Sequence, residues 1–256
     1  MERFIRESAA IVEVELIKLA RDPTELVSRA VQPVLWLVVF GQVLAQVRGI
    51  HTGQMSYLAF ITPGILAQSI LFSSIFYGIA IIWERDLGVV HKLLVSPARR
   101  SSLVFGKAVA AGFRGIVQTL VIYLVALLMH VSIRLDPLAI FVVLGSVMLG
   151  SGIFATFSLI IACIVKTRER FMGIGQLLTM PMFFASNAIY PLDIMPRWLR
   201  VIAQANPLTY LIDVLRGLVI TGGENIYGYG VDFTAMLSVF AVLLFIAVSL
   251  YPTLAE

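Results

Sequence analysis

The chain has 256 residues, of which 59% are hydrophobic and only 13% are Asp, Glu, Lys or Arg; the formal net charge is +4. Soluble domains carry roughly 25% charged residues, so this composition excludes an ordinary soluble enzyme, a disordered chain and a disulfide-rich secreted module. The apolar residues have to face lipid, and the fold class is an all-α membrane protein.

The N-terminal segment 1–29 reads as a cytoplasmic interfacial helix. Over residues 4–22, Ile5, Ala9, Val12, Leu16 and Leu19 follow helical spacing, with Arg3, Arg6, Glu13 and Arg21 elsewhere. Glu2 and Glu7 and the lack of an apolar core with a cleavage site predict no cleavable signal peptide. Residues 30–256 read as one transmembrane domain. A helix needs about 20 apolar residues to cross the hydrocarbon layer. Six spans are predicted: 30–47, 57–83, 115–133, 137–165, 171–192 and 233–255. Pro181 is expected to kink the fifth. As drawn, none of the six contains a charged residue.

Fourteen Lys and Arg fall in the segments on the side of the N-terminus and five on the other, so both termini are predicted in the cytoplasm. The basic balance is thereby explained by topology, and no nucleic-acid partner is expected. The single cysteine, Cys163, lies in an apolar run and reads as a packing residue.

Two connections are more than loops. Residues 84–114 are the most charged stretch of the chain. Leu87, Val90, Leu93 and Leu94 share a helical stripe and Ser96-Pro97 breaks it, which predicts a short cytoplasmic helix hairpin able to meet a soluble partner. Residues 193–232 open with Pro196 and Trp198 and break at Asn206-Pro207. Two short apolar helices are predicted about that break, dipping into the outer leaflet as a re-entrant hairpin.

The chain lacks G-x-x-x-x-G-K-[ST], H-E-x-x-H, G-x-S-x-G and any Cys/His metal spacing. His51, His91 and His130 are scattered. Without a charge in the spans, a proton-coupled carrier is disfavoured and energy is expected to enter from outside the membrane. The mild polar groups Gln68, Ser69, Ser73, Gln176, Thr179 and Asn187 are the candidates for a weakly polar substrate path. Small pairs such as Ser74/Gly78 and Ser146/Gly150 suit close helix packing.

Two stretches resemble a known family. ERDLGVVHKLLVSPARRSSLVFGK at 84–107 is similar to the E-R-x-x-G…L-L-x-[ST]-P pattern of ABC-2 type ABC transporter permeases, and FFASNAIYPLDIMPRWLRVIAQANPLTYLIDVLR at 183–216 is similar to their Y-P…P-x-W-L…N-P-[LV]-T-Y…D-x-[LM]-R pattern. The likeness covers nearly the whole chain and looks closest to drug-exporter and Nod-factor-exporter permeases. It implies a non-catalytic half-transporter in the cell membrane. Two copies pair as a homodimer, and two cytoplasmic ATPase subunits supply ATP and Mg, with no cofactor in this chain. By the resemblance, Glu84, Arg85, Leu87, Gly88, His91, Leu94 and Pro97 form the coupling region. Tyr190, Pro191, Pro196, Trp198, Asn206, Pro207, Tyr210 and Arg216 form the external hairpin. The sequence stops at Glu256 without a basic tail, a departure that bears on the end of the last span. The alternatives are a secondary carrier or channel, and a non-transporting scaffold or immunity protein.

Overall fold

A computed structural model describes residues 2–45, 55–165 and 167–255. Every regular element among them is helical. Expectations for residues 46–54, Lys166 and Glu256 lie outside the described residues.

Helix α1, Glu2–Arg21, is followed by α2, Pro23–Leu35, whose internal Pro33 has no N–H to give. The chain relieves this with a π turn over Trp36–Phe40, where the Gly41 N–H reaches back to the Trp36 carbonyl, before α3, Gly41–Ala45. Together they form the first apolar span, Val27–Leu44. The second, α4 (Tyr57–Asp86), starts where the Ser56 hydroxyl accepts from the Ala59 N–H at 3.2 Å. It ends at Gly88, whose φ of +71° is the left-handed turn that glycine permits.

Only a seven-residue helix, α5 (Val89–Val95), separates α4 from α6 (Arg100–Leu128), so the expected helix hairpin is a single short helix. The third span therefore begins 15 residues before the predicted 115 and ends at Leu128, not 133. Lys107 and Arg114 lie inside it, buried. The expectation of charge-free spans fails here because these cations are neutralised by acids on neighbouring helices.

Helix α7, Pro137–Ile164, matches the fourth predicted span. The fifth is shorter than 171–192: α8, Arg168–Phe184, has 17 residues, and Pro181 sits in its last turn rather than kinking its middle. Turns follow to Tyr190. Helices α9, Arg197–Ala205, and α10, Pro207–Val219, flank Asn206 as the sequence predicts. The last helix is α11, Tyr229–Leu250, continued by a 3-10 turn over Tyr251–Ala255. It starts four residues before the predicted 233 and carries the buried Asp232 in its first turn.

Among the described residues, five helical segments are long and apolar enough to cross a membrane; α8 falls short of them. The most buried, α4, packs against α6, α7, α8 and α10. Gly64 of α4 lies so close to the Ala188 backbone that a Cβ there would come within 2.5 Å of its carbonyl oxygen. Ser74/Gly78 and Ser146/Gly150 also mark tight contacts, with a Cβ on Gly78 meeting Phe171 and one on Gly150 meeting Leu211.

One end of the molecule gathers α1, the base of α4, α5, the start of α6 and Tyr251 around one apolar cluster. The opposite end gathers Ile133, which pairs with Ile220, and Tyr57, which donates to the Ile189 carbonyl at 3.3 Å. The beginning and the end of the chain thus share one end.

Candidate functional site

Three consecutive residues close α4, and because successive helical side chains point about 100° apart they reach different neighbours. Glu84 accepts from Lys18 of α1 at 2.5 Å and from Lys107 of α6 at 2.6 Å. Arg85 donates to the Val165 carbonyl at the end of α7 at 3.3 Å. Asp86 pairs with Arg168 at the start of α8 at 2.8 Å, and the Arg168 guanidinium stacks 3.6 Å from the centre of the Trp83 ring. The base of α4 is thereby tied to α1, α6, α7 and α8.

Behind Glu84 lies a second carboxylate. Glu15 of α1 meets Lys18 at 3.0 Å, Lys107 at 3.5 Å and Arg114 at 3.1 Å. The side chains of Glu15, Lys107 and Arg114 are each at most 5% exposed. The Arg114 guanidinium also lies 4.4 Å from the centre of the buried Tyr77 ring. Burial alone raises the Glu15 carboxyl. The charges of Lys107, Lys18 and Arg114 outweigh it and hold the group below its usual range. Two acids and three cations form one network across three helices, buried at Glu15, Lys107 and Arg114 and open to solvent at Lys18.

Helix α5 hangs from this base. Val90 is buried and Leu93 and Leu94 are half-buried against the apolar cluster. Leu87 leaves the predicted stripe and is 70% exposed, because the left-handed Gly88 turns the chain between them. With His91, Val95 (88% exposed) and Pro97 it forms the outward surface. Of the seven candidate coupling residues, Glu84, Arg85 and Leu94 are engaged within the fold. Leu87, His91 and Pro97 are exposed, and Gly88 makes the turn.

The six candidate path residues are distributed over α4, α8 and the turn beyond α8. Gln68, Ser69 and Ser73 are buried on α4, where Ser69 donates to Gln118 of α6 at 3.0 Å. Thr179 donates to the Gly175 carbonyl of its own helix at 2.7 Å. Gln176 lies on the exposed face of α8. Asn187 is buried in the turn beyond α8, where its carbonyl accepts from Arg216 at 2.6 Å.

The candidate hairpin residues hold backbone. The Asn206 amide donates to the carbonyls of Met182 at 2.6 Å and Ala185 at 3.1 Å, which the early end of α8 leaves free, while its Oδ1 accepts from the Leu208 N–H and caps α10. Pro207 supplies the first residue of α10. Arg216 lies 4.1 Å from the centre of the Phe60 ring. Asp213 accepts from the N–H groups of Ile226 and Tyr227 at 2.8 and 2.9 Å. The Tyr210 hydroxyl donates to the Gln204 carbonyl at 2.6 Å and the Tyr190 hydroxyl to the Phe184 carbonyl. Trp198 is exposed, and with Tyr190, Met182, Phe184 and Ile202 it lines an apolar groove of about 640 Å³. Pro191 is half-buried and Pro196 exposed at the approach to α9.

The family description for ABC-2 type transporters matches residues 7–220. The chain belongs to the ABC-2 type transporter family. Among similar proteins, one from Cyanophora paradoxa described as a transport permease, ycf38, is 33% identical over 84% of this chain and 74% of its own length. The doxorubicin resistance ABC transporter permease protein DrrC of Mycobacterium tuberculosis (strain ATCC 25618 / H37Rv) is 27% identical over 81% of this chain and 74% of its own. The multidrug ABC transporter permease YbhR of Escherichia coli K12 is 25% identical over 66% of this chain and 46% of its own. Membership makes this ABC-2 chain a multi-pass, non-catalytic membrane subunit of an ABC transporter and implies association with an ABC ATPase subunit.

Glu15 of α1 and the aromatic ring of Tyr77 escape the sequence reading, which takes Lys107 only as the end of the first matching stretch and Arg114 only as the edge of a span. A signal was available. Lys107 and Arg114 are seven residues apart, on one helical face, and Glu15 follows Ser8 and Ile11 at helical spacing on a face of its own. The predicted apolar stripe of α1 is only partly packed: Ile5 is 60% exposed and Ala9 exposed, Val12 and Leu16 are half-buried and Leu19 is buried, and the packed face is Ser8, Ile11, Glu15 and Leu19.

Proposed function

We propose that the chain is the permease half of an ATP-driven exporter in the cell membrane, working as a homodimer with two cytoplasmic ABC ATPase subunits that carry ATP and Mg. The observation that carries this reading is the base of α4: three adjacent residues grip four other elements, while the adjoining α5 presents Leu87, His91 and Val95 outward. A push on α5 reaches α1, α6, α7 and α8 through Glu84, Arg85 and Asp86. The ATPase would dock on α5, and alternating access would follow from the movement of the spans it is tied to. The excess of Lys and Arg on the α1 side supports a cytoplasmic position for that end and both termini.

The opposite end, with α9 and α10, would be external and form a re-entrant hairpin over the exit. The names of DrrC and YbhR, a doxorubicin resistance and a multidrug permease, and the weakly polar spans support an amphipathic or lipid-linked substrate. A carrier energised by an intramembrane carboxylate has Asp232 as its candidate. That acid accepts from Asn225 at 2.6 Å and closes the loop before α11, at the end of the span, which favours a structural task.

The test is purification from the native host in mild detergent. A stoichiometric ABC ATPase whose ATP turnover depends on this chain supports the reading. A preparation without a nucleotide-binding partner after cross-linking, or coupled turnover untouched by charge reversal at Glu84 and Arg85, overturns it.

A further inference from the structure

Several polar side chains of α1 reach inward, and their bonds fall at two places along the chain. Near its start, Arg3 donates to the Pro97 carbonyl at 2.5 Å, and Glu7 accepts from the Arg99 N–H at 3.0 Å and the Ser102 hydroxyl at 2.9 Å. Ser8 adds a bond to the Ser102 carbonyl at 3.3 Å. Two turns later, Glu15 and Lys18 enter the network with Glu84, Lys107 and Arg114. The first set holds the turn that follows α5. The second holds the helix end that precedes it.

Helix α5 needs such support. It is two turns long, too short to be stable alone. Non-helical residues bound it on both sides: Gly88 in the left-handed region, and Ser96 extended with ψ of 154°. Its own packing rests on Val90, with Leu93 and Leu94 beside it. Left to these contacts, it would rock about the two hinges under load.

We infer that α1 is a strap that fixes α5 to the spans at both of its ends, with Glu7 and Glu15 as the positioning residues. This rests on the reading of α5 as the ATPase-facing element. With the strap fastened, a displacement of α5 carries α1, α4 and α6 with it as one body. With the Glu7 attachment released, α5 yields at the Ser96-Pro97 hinge, and the stroke is dissipated before it reaches the spans. The Arg99 N–H, followed by Arg3 and Ser102, lowers the Glu7 carboxyl to about 2, so the attachment is charged at neutral pH.

The test uses the full chain with its co-purified ABC ATPase in vesicles of phosphatidylethanolamine and phosphatidylglycerol. Spin labels sit at the exposed Val14 and Val95 in a Cys163→Ser background. Glu7→Gln and Glu7→Lys carry the experiment, because Glu15→Gln also changes the pairing of Lys18, Lys107 and Arg114 within the network. The expected result is retained ATPase binding, a permease-dependent stimulation of ATP turnover reduced roughly tenfold, the size of one lost charged hydrogen bond, and a broadened label-to-label distance distribution. A wild-type distance distribution and wild-type stimulation in Glu7→Lys overturn the strap. Joint loss of ATPase binding and thermal stability overturns it too, since that marks a merely structural contact. Leu87→Asp and Val95→Asp touch no strap residue. If they leave ATPase binding intact, the docking face is elsewhere and the proposal falls with it, whatever Glu7 does.

Discussion

The two ends of the molecule are held in different ways. At the α1 end, besides the backbone bonds of Arg3, Glu7, Ser8 and Arg85, long charged side chains on separate helices pair with one another: Glu15, Lys18, Glu84, Lys107 and Arg114. At the α10 end, side chains hold backbone: Asn206 on two carbonyls, Arg216 on one, Asp213 on two N–H groups. Side chain to side chain bonds between regular helices let whole helices move together, and a cation with two acids keeps one when the other is lost. Side chain to backbone bonds fix the path of non-helical chain, and each group has no substitute. The first arrangement suits transmission of force. The second suits a fixed closure.

The largest effect expected from this contrast is at Arg216. Arg216→Met leaves the Asn187 carbonyl unbonded and Asp213 without its neighbouring cation, and is expected to cost about 3–5 kcal/mol, read as loss of the monodisperse peak on heating in detergent. Asn206→Ala removes the cap of α10 and frees the end of α8, and should cost about 2–3 kcal/mol by the same measurement. Glu15→Gln should cost less, about 1–2 kcal/mol, because Lys107 keeps Glu84 at 2.6 Å. A loss at Glu15 equal to that at Arg216 would break the contrast between the ends.

Gly88→Ala is expected to cost about 1 kcal/mol from its left-handed φ alone, since a Cβ there meets nothing within 4 Å, and Gly88→Asn should cost less. The smallest effect is a pH dependence at Glu7. Its carboxyl titrates at about 2 in the fold against 4.5 when free. The folded value is depressed, so its contribution is fully present above pH 4.5 and is lost as pH falls from there towards 2. Over that window the melting temperature of the native chain should fall more steeply than that of Glu7→Gln.

Much of this arrangement was legible in the sequence. Apolar length and flanking charge located five spans, and the Ser96-Pro97 and Asn206-Pro207 breaks lie where the structure interrupts its helices. The errors share a cause. Treating charge as the boundary of a span placed the start of α6 at residue 115, beyond Lys107 and Arg114, whose partners come from α1 and α4 and are distant in sequence. Hydrophobicity likewise carried the fifth span on to Leu192, although Asn206 satisfies the carbonyls of an α8 that has already ended. The apolar stripe of α1 was seen, but sequence alone does not say which face of an interfacial helix meets protein. Here a mixed face of Ser8, Ile11, Glu15 and Leu19 does. The candidate path residues are polar positions spread over α4, α8 and the turn beyond it, and no periodicity within one helix reports how its neighbours turn.

The most direct measurement is site-specific photocross-linking in native membranes. Benzoylphenylalanine placed at Val95 on α5, and for comparison at Val201 on the exposed face of α9, reports what each end touches. An ABC ATPase subunit recovered from Val95 and absent from Val201 is the predicted result. Recovery of the ATPase from Val201, or its absence from Val95 while the complex still hydrolyses ATP, would contradict the assignment of α5 as the place where the stroke enters.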